Sequence, residues 1–107
     1  MELSISLEEF SGPLDLLLEL IKQDEIDIYN IPIHRITKSY LDEMNKRAIP
    51  SGEIAEFITM AAYLVEIKSQ MLLPDHQLQS ILENEGDPRR LLVSRLLEYQ
   101  KVKESRL

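Results

Sequence analysis

His34 and His76 are the only histidines in this chain, and cysteine is absent. Without a thiol, disulfides, zinc–thiolate sites and thiol nucleophiles are excluded together. A metal or acid–base site needs convergent partners around each imidazole. His34 falls on the polar side of an amphipathic segment and His76 in a polar, acidic stretch, so both read as surface residues. Asp24, Glu25 and Asp27 cluster, but they lack the ligand spacing and central glycine of a calcium loop and read as a solvated acidic turn. Ser11 has no histidine placed to activate it, and Gly12 is a lone glycine with no phosphate-binding loop around it. Leu14-Asp15-Leu16-Leu17-Leu18 satisfies an LxxLL docking pattern, which a core helix also generates. The expectation is a protein that is not an enzyme, with no cofactor and no metal.

Composition narrows the class further. The 107 residues suffice for one small domain and a little more, with 44% hydrophobic and 29% charged residues, as in a folded globular chain. No apolar run reaches the roughly 18 residues that suggest a membrane span. Met1-Glu2 is followed by no basic region of a secretory signal. The net charge of −7 makes direct binding to nucleic acid or anionic lipid unexpected, since both rest largely on Lys and Arg.

The elements are organised around Phe10-Ser11-Gly12-Pro13-Leu14-Asp15-Leu16-Leu17-Leu18. Gly12 permits a tight turn, Pro13 suits the first helical position, and Asp15 complements the helix dipole. The first helix is expected from Pro13 to Gln23, with only Asp15, Glu19 and Lys22 as its wet side. Before it, Leu3, Ile5 and Leu7 alternate with polar residues as in a short strand, for which Ile26-Asp27-Ile28 is a weak pairing candidate. Asn30 and Pro32 open a second helix with Ile33, Ile36, Tyr40, Leu41 and Met44 on its apolar side. A third is expected from about Gly52 to Leu73, capped by Ser51 and stopped by Pro74. Residues 75–86 read as an acidic linker with at most one helical turn. Asp87-Pro88 then restarts a helix that reaches the end of the sequence, as at a fragment boundary.

The third helix has more apolar circumference than one neighbour can cover. Ile54, Ile58, Ala61, Val65 and Leu72 form one stripe, and Phe57, Met60, Leu64, Ile67 and Met71 form a second beside it. Either helices one, two and four of the same chain bury this helix, or the first stripe faces the core and the methionine-rich second stripe meets another protein. Lys68 falls between them. It either snorkels, stem on apolar surface and ammonium in water, or pairs with an acidic residue of a partner helix.

Four ordered blocks, Phe10-x-Gly12-Pro13-Leu14-Asp15-Leu16-Leu17-Leu18, Ile26-Asp27-Ile28-x-x-Ile31-Pro32-Ile33, Ile67-Lys68-Ser69-x-Met71-Leu72-Leu73-Pro74 and Asp87-Pro88-Arg89 with Leu92-Val93-x-x-Leu96-Leu97-Glu98-Tyr99, resemble the segregation and condensation protein A (ScpA) family, the bacterial kleisins. The resemblance covers nearly the whole chain. It implies a cytoplasmic, nucleoid-associated adaptor of the condensin that organises and segregates chromosomes. In that family the N-terminal helical domain packs on the head-proximal coiled coil, or neck, of the SMC ATPase. The middle region binds a ScpB dimer, and a C-terminal winged-helix domain grips the head of the other SMC subunit.

Carried onto this sequence, the neck-binding surface would fall on Met60, Leu64, Ile67, Lys68 and Met71, and the ScpB-binding region would begin at Leu92, Leu96, Leu97 and Tyr99. The expected organisation is all-α: an SMC-neck-binding domain over 1–74, an acidic flexible linker over 75–86, and the truncated start of the middle region over 87–107. The winged-helix domain is not in this sequence, so ring closure is not expected of it. A self-associating bundle and a ligand-binding helical domain are the rival readings.

Overall fold

A computed structural model describes residues 10–47 and 51–105, and the alternating segment over 2–7 lies outside them. The described chain is all-helical: α1 (Pro13–Gln23), α2 (Ile33–Lys46), α3 (Ile54–Met71), α4 (Asp75–Asn84) and α5 (Arg90–Ser105). Ile26-Asp27-Ile28 lies in the turn between α1 and α2, and none of the described residues forms a strand.

Helix α1 starts and stops on local signals. Gly12 holds φ at 109°, a region open to glycine at no steric cost, and Pro13 follows at the first helical position. The Ser11 N–H donates to the Asp15 carboxylate at 3.0 Å. At the other end Glu25 adopts φ 53°, and the N–H groups of Ile26 and Glu25 close on the carbonyls of Ile21 and Lys22 at 2.9 and 3.3 Å. This is a Schellman stop, with Ile26 packed against the core as the accompanying apolar contact. It turns the chain back so that α2 can cover α1.

Helix α1 lies at the centre, packed against α2, α3 and α5. The buried core is one cluster: Leu16, Leu17, Leu20 and Ile21 of α1, Ile31 of the turn, Ile33, Ile36 and Tyr40 of α2, Phe57, Met60, Leu64 and Ile67 of α3, and Leu92 and Leu96 of α5. The α2–α3 contact is tied by the Tyr40 hydroxyl, which donates to the Phe57 carbonyl at 2.8 Å. Burial raises the Tyr40 pKa far above the usual phenol value.

Three sequence expectations are corrected here. Residues 75–84, expected to be irregular linker, form α4, although no residue of that helix is buried. Leu78, Ile81 and Leu82 share one face by their 3–4 spacing, and Leu78 and Ile81 are half-buried. The fourth expected helix is not a tethered extra: as α5 it places Leu92 and Leu96 in the core beside α1. Asp15, assigned to the wet side of the first helix, is buried and pairs with Lys103 of α5.

Candidate partner-binding face

The two apolar stripes of α3 are repeats of the same spacing, 3 and 4 residues in alternation, so each is straight enough to take a packed neighbour. The fold uses the bulkier one. Phe57 and Leu64 are 0% exposed, Ile67 2% and Met60 7%, all against α1 and α2, while Met71 is half-buried at the edge of the same core. The other stripe is left to solvent, with Ile54 at 42% exposed, Ile58 at 52%, Val65 at 44% and Leu72 at 68%. Ala61 is half-buried between them, and Ala62 is exposed at its flank. From Ile54 to Leu72 this face runs about 27 Å at 1.5 Å per residue.

The orientation expected from sequence is therefore reversed. Met60, Leu64 and Ile67 hold the domain together and are not an available surface. Bulk decides between the stripes: Phe, Met, Leu and Ile fill the space that α1 and α2 leave, whereas a stripe with Ala61 at its centre would leave a void there. Residue size along each stripe was the signal that periodicity alone did not carry.

On α5 the expected surface divides. Leu92 and Leu96 are 0% exposed, Leu97 and Tyr99 are half-buried, and the apolar residues presented outward are Leu91 and Val102. Arg89 fixes where this helix begins. Its side chain donates to the Asp87 carboxylate at 2.8 and 3.1 Å, to the Asn30 side-chain oxygen at 3.0 Å and to the Ile31 carbonyl at 2.7 Å. The hydrogen bonds between Arg89 and Asp87 hold the Asp87 carboxyl below its ordinary pKa and raise that of Arg89. At the far end Lys103 pairs with Asp15, which raises the lysine pKa. Arg95 stacks over the Tyr63 ring, 5.6 Å from its centroid, and so bridges α5 to α3. Neither arginine of this kind was singled out from sequence as a structural tie, because its partners are distant in the chain.

Chemistry has little to work with on this surface. His34 and His76 are both exposed, on α2 and α4. Among the described residues no group of three or more His, Cys, Asp or Glu is gathered as a metal site would require. A cleft of about 680 Å³ beside the α1–α2 turn is open and rimmed by charges of both signs: Glu19, Lys22, Glu25, Asp27, Lys103 and Glu104. Among the described residues no helix is long and apolar enough to cross a membrane.

Comparison with known proteins bears on the resemblance. The family model for segregation and condensation protein ScpA matches residues 20–106. Segregation and condensation protein A of Brevibacillus brevis is 49% identical over 110 residues, covering 96% of this chain and 43% of its own length. The proteins of the same name from Bacillus cereus and Bacillus anthracis are each 46% identical over 109 residues, covering 97% of this chain and 44% of theirs. The chain thus spans less than half the length of the curated relatives it matches. With the family model matched over most of the chain and relatives nearly half identical across almost all of it, this protein belongs to the segregation and condensation protein A family.

Proposed function

We propose that this chain is an adaptor part of a bacterial condensin, docking through the solvent-facing stripe of α3 on the neck of SMC and leading through α5 toward ScpB. The observation that carries the reading is the 27 Å apolar stripe on α3, about that length at 1.5 Å per residue, which none of the chain's own described helices covers. A face of Ile54, Ile58, Val65 and Leu72 in 3–4 alternation suits a neighbouring helix running nearly alongside. A coiled-coil neck offers such helices. On this reading the protein performs no catalysis, and it acts in the cytoplasm at the nucleoid through its partners. The ScpB side rests on the family resemblance and on the outward Leu91 and Val102 of α5, with Leu97 and Tyr99 half-buried beside them.

The test separates the two stripes. Ile58→Glu is expected to leave helicity and melting nearly unchanged, because the position is 52% exposed. In the complex the same carboxylate would be buried without a partner, at a cost of several kcal/mol. A loss of about 3 kcal/mol weakens binding more than a hundredfold. Ile67→Glu is expected to unfold the domain. Circular dichroism and a pull-down with the SMC neck read both outcomes. Neck binding by a folded Ile58→Glu at wild-type strength would remove this face from the interaction. If the Ile58→Glu protein self-associates less but binds the neck unchanged, the bundle reading replaces the adaptor one.

A further inference from the structure

We infer that Lys68 sets the register of the helix that docks on α3, by pairing with a carboxylate carried at the facing core position of that helix. The inference rests on the docking reading above, and the experiment below lets the two fail separately. Along the outward stripe the 4–3 alternation runs through positions 54, 58, 61, 65, 68 and 72, so Lys68 occupies a core position of the seam and not its rim. It is the only basic residue of α3, and it is half-buried before any partner arrives.

No ion pair among the described residues neutralises it. The residues three and four positions away, where an intrahelical ion pair would form, are Leu64, Val65, Met71 and Leu72, all apolar. The ion pairs among the described residues are Lys38–Asp42, Arg47–Glu43, Arg89–Asp87 and Lys103–Asp15, and Lys68 is in none of them. Other cations of the fold that approach its packed surface are tied: Arg89 by Asp87, Asn30 and Ile31, Arg95 by the Tyr63 ring, and Lys103 by Asp15.

A helix laid along Ile54, Ile58, Val65 and Leu72 takes water from around this ammonium. Covering it with an apolar side chain leaves a desolvated, unpaired charge. Covering it with Asp or Glu satisfies it and penalises every alignment that moves the carboxylate by a turn. A single polar residue in a seam acts in this way elsewhere, fixing register and orientation at some expense of affinity. The occupant is therefore a helix with an apolar 3–4 repeat interrupted by one acidic residue. A basic or wholly apolar helix would not fit.

The test uses the whole chain and an SMC fragment comprising head and neck. Affinity is measured for the wild-type chain and for Lys68→Glu, Lys68→Met and Ile58→Glu, each checked for helicity, and then against neck variants in which single Asp or Glu residues become Lys. Lys68→Glu is expected to weaken binding at least roughly thirtyfold, and one neck reversal to restore it to within a few-fold. Lys68→Met is expected to bind within about tenfold of wild type but in more than one alignment. The alignment is read by cross-linking from a single cysteine placed at exposed Ser69 in a chain that has none of its own. If Ile58→Glu abolishes binding while Lys68→Glu stays within twofold, docking stands and the register role is wrong. If Lys68→Glu weakens binding and no neck reversal restores it, the pairing is wrong. If Ile58→Glu leaves binding intact, the docking reading itself falls.

Discussion

Thr37 is 2% exposed on the inner side of α2, and its hydroxyl meets no hydrogen-bond partner among the described residues. A buried hydroxyl without a partner costs about 1–3 kcal/mol, and valine has nearly the same shape. Thr37→Val is therefore expected to raise stability by about 1 kcal/mol, read as a higher denaturant midpoint with an unchanged slope. A lower midpoint would mean that the hydroxyl is satisfied. The contrast with Tyr40, three residues on, is instructive. Its hydroxyl reaches across to the Phe57 carbonyl and turns a polar atom into the tie between α2 and α3.

Helix α5 is seated by its ends as much as by its leucines. Asp87 holds Arg89 against the α1–α2 turn, and its carboxyl titrates below the ordinary Asp range, chiefly through the Arg89 side-chain hydrogen bonds. A depressed folded-state pKa stabilises above the unfolded value, near 4, and that contribution is lost as pH falls through the folded value. The melting temperatures of wild type and Asp87→Asn should differ at pH 6 and converge as pH falls through the depressed folded-state value. A constant difference over that range would exclude the carboxylate as its source. Helix α4, with no buried residue, should exchange its amide hydrogens fastest of the five helices, and α5 should exchange slowly with α1. Equal protection of α4 and α5 would contradict this. These two helices also mark where the sequence was legible. Pro13, Pro32, Pro74 and Asp87-Pro88 punctuate the chain, and the helices fall between them, with α1 at its expected bounds. The acidic and amide-rich composition of 75–86 masked the spacing of Leu78, Ile81 and Leu82. The choice between the stripes of α3 was not legible from periodicity, because both repeat every three and four residues and only the volume left by α1 and α2 distinguishes them.

For the whole molecule, charge is the governing quantity. At −7 overall, with Arg89 held by Asp87 and Arg95 over Tyr63, no basic strip is free along one side of the described fold. Phosphate contacts rest on cations, and the 12 Lys and Arg are outnumbered by 19 Asp and Glu. No shift of a duplex in a gel at moderate salt and micromolar protein is expected, and a shift that weakens as salt rises would overturn that. One further consequence comes from the pairing of Asp15 with Lys103, 88 positions apart. On a ribosome adding about 5–20 residues per second, the leucines of α1 emerge several seconds before the helix that covers one side of them. During that interval one side of the leucine-rich α1 is uncovered, and it is a natural target for a chaperone. The fold is local in most of its contacts but completes only when its last helix returns to its first.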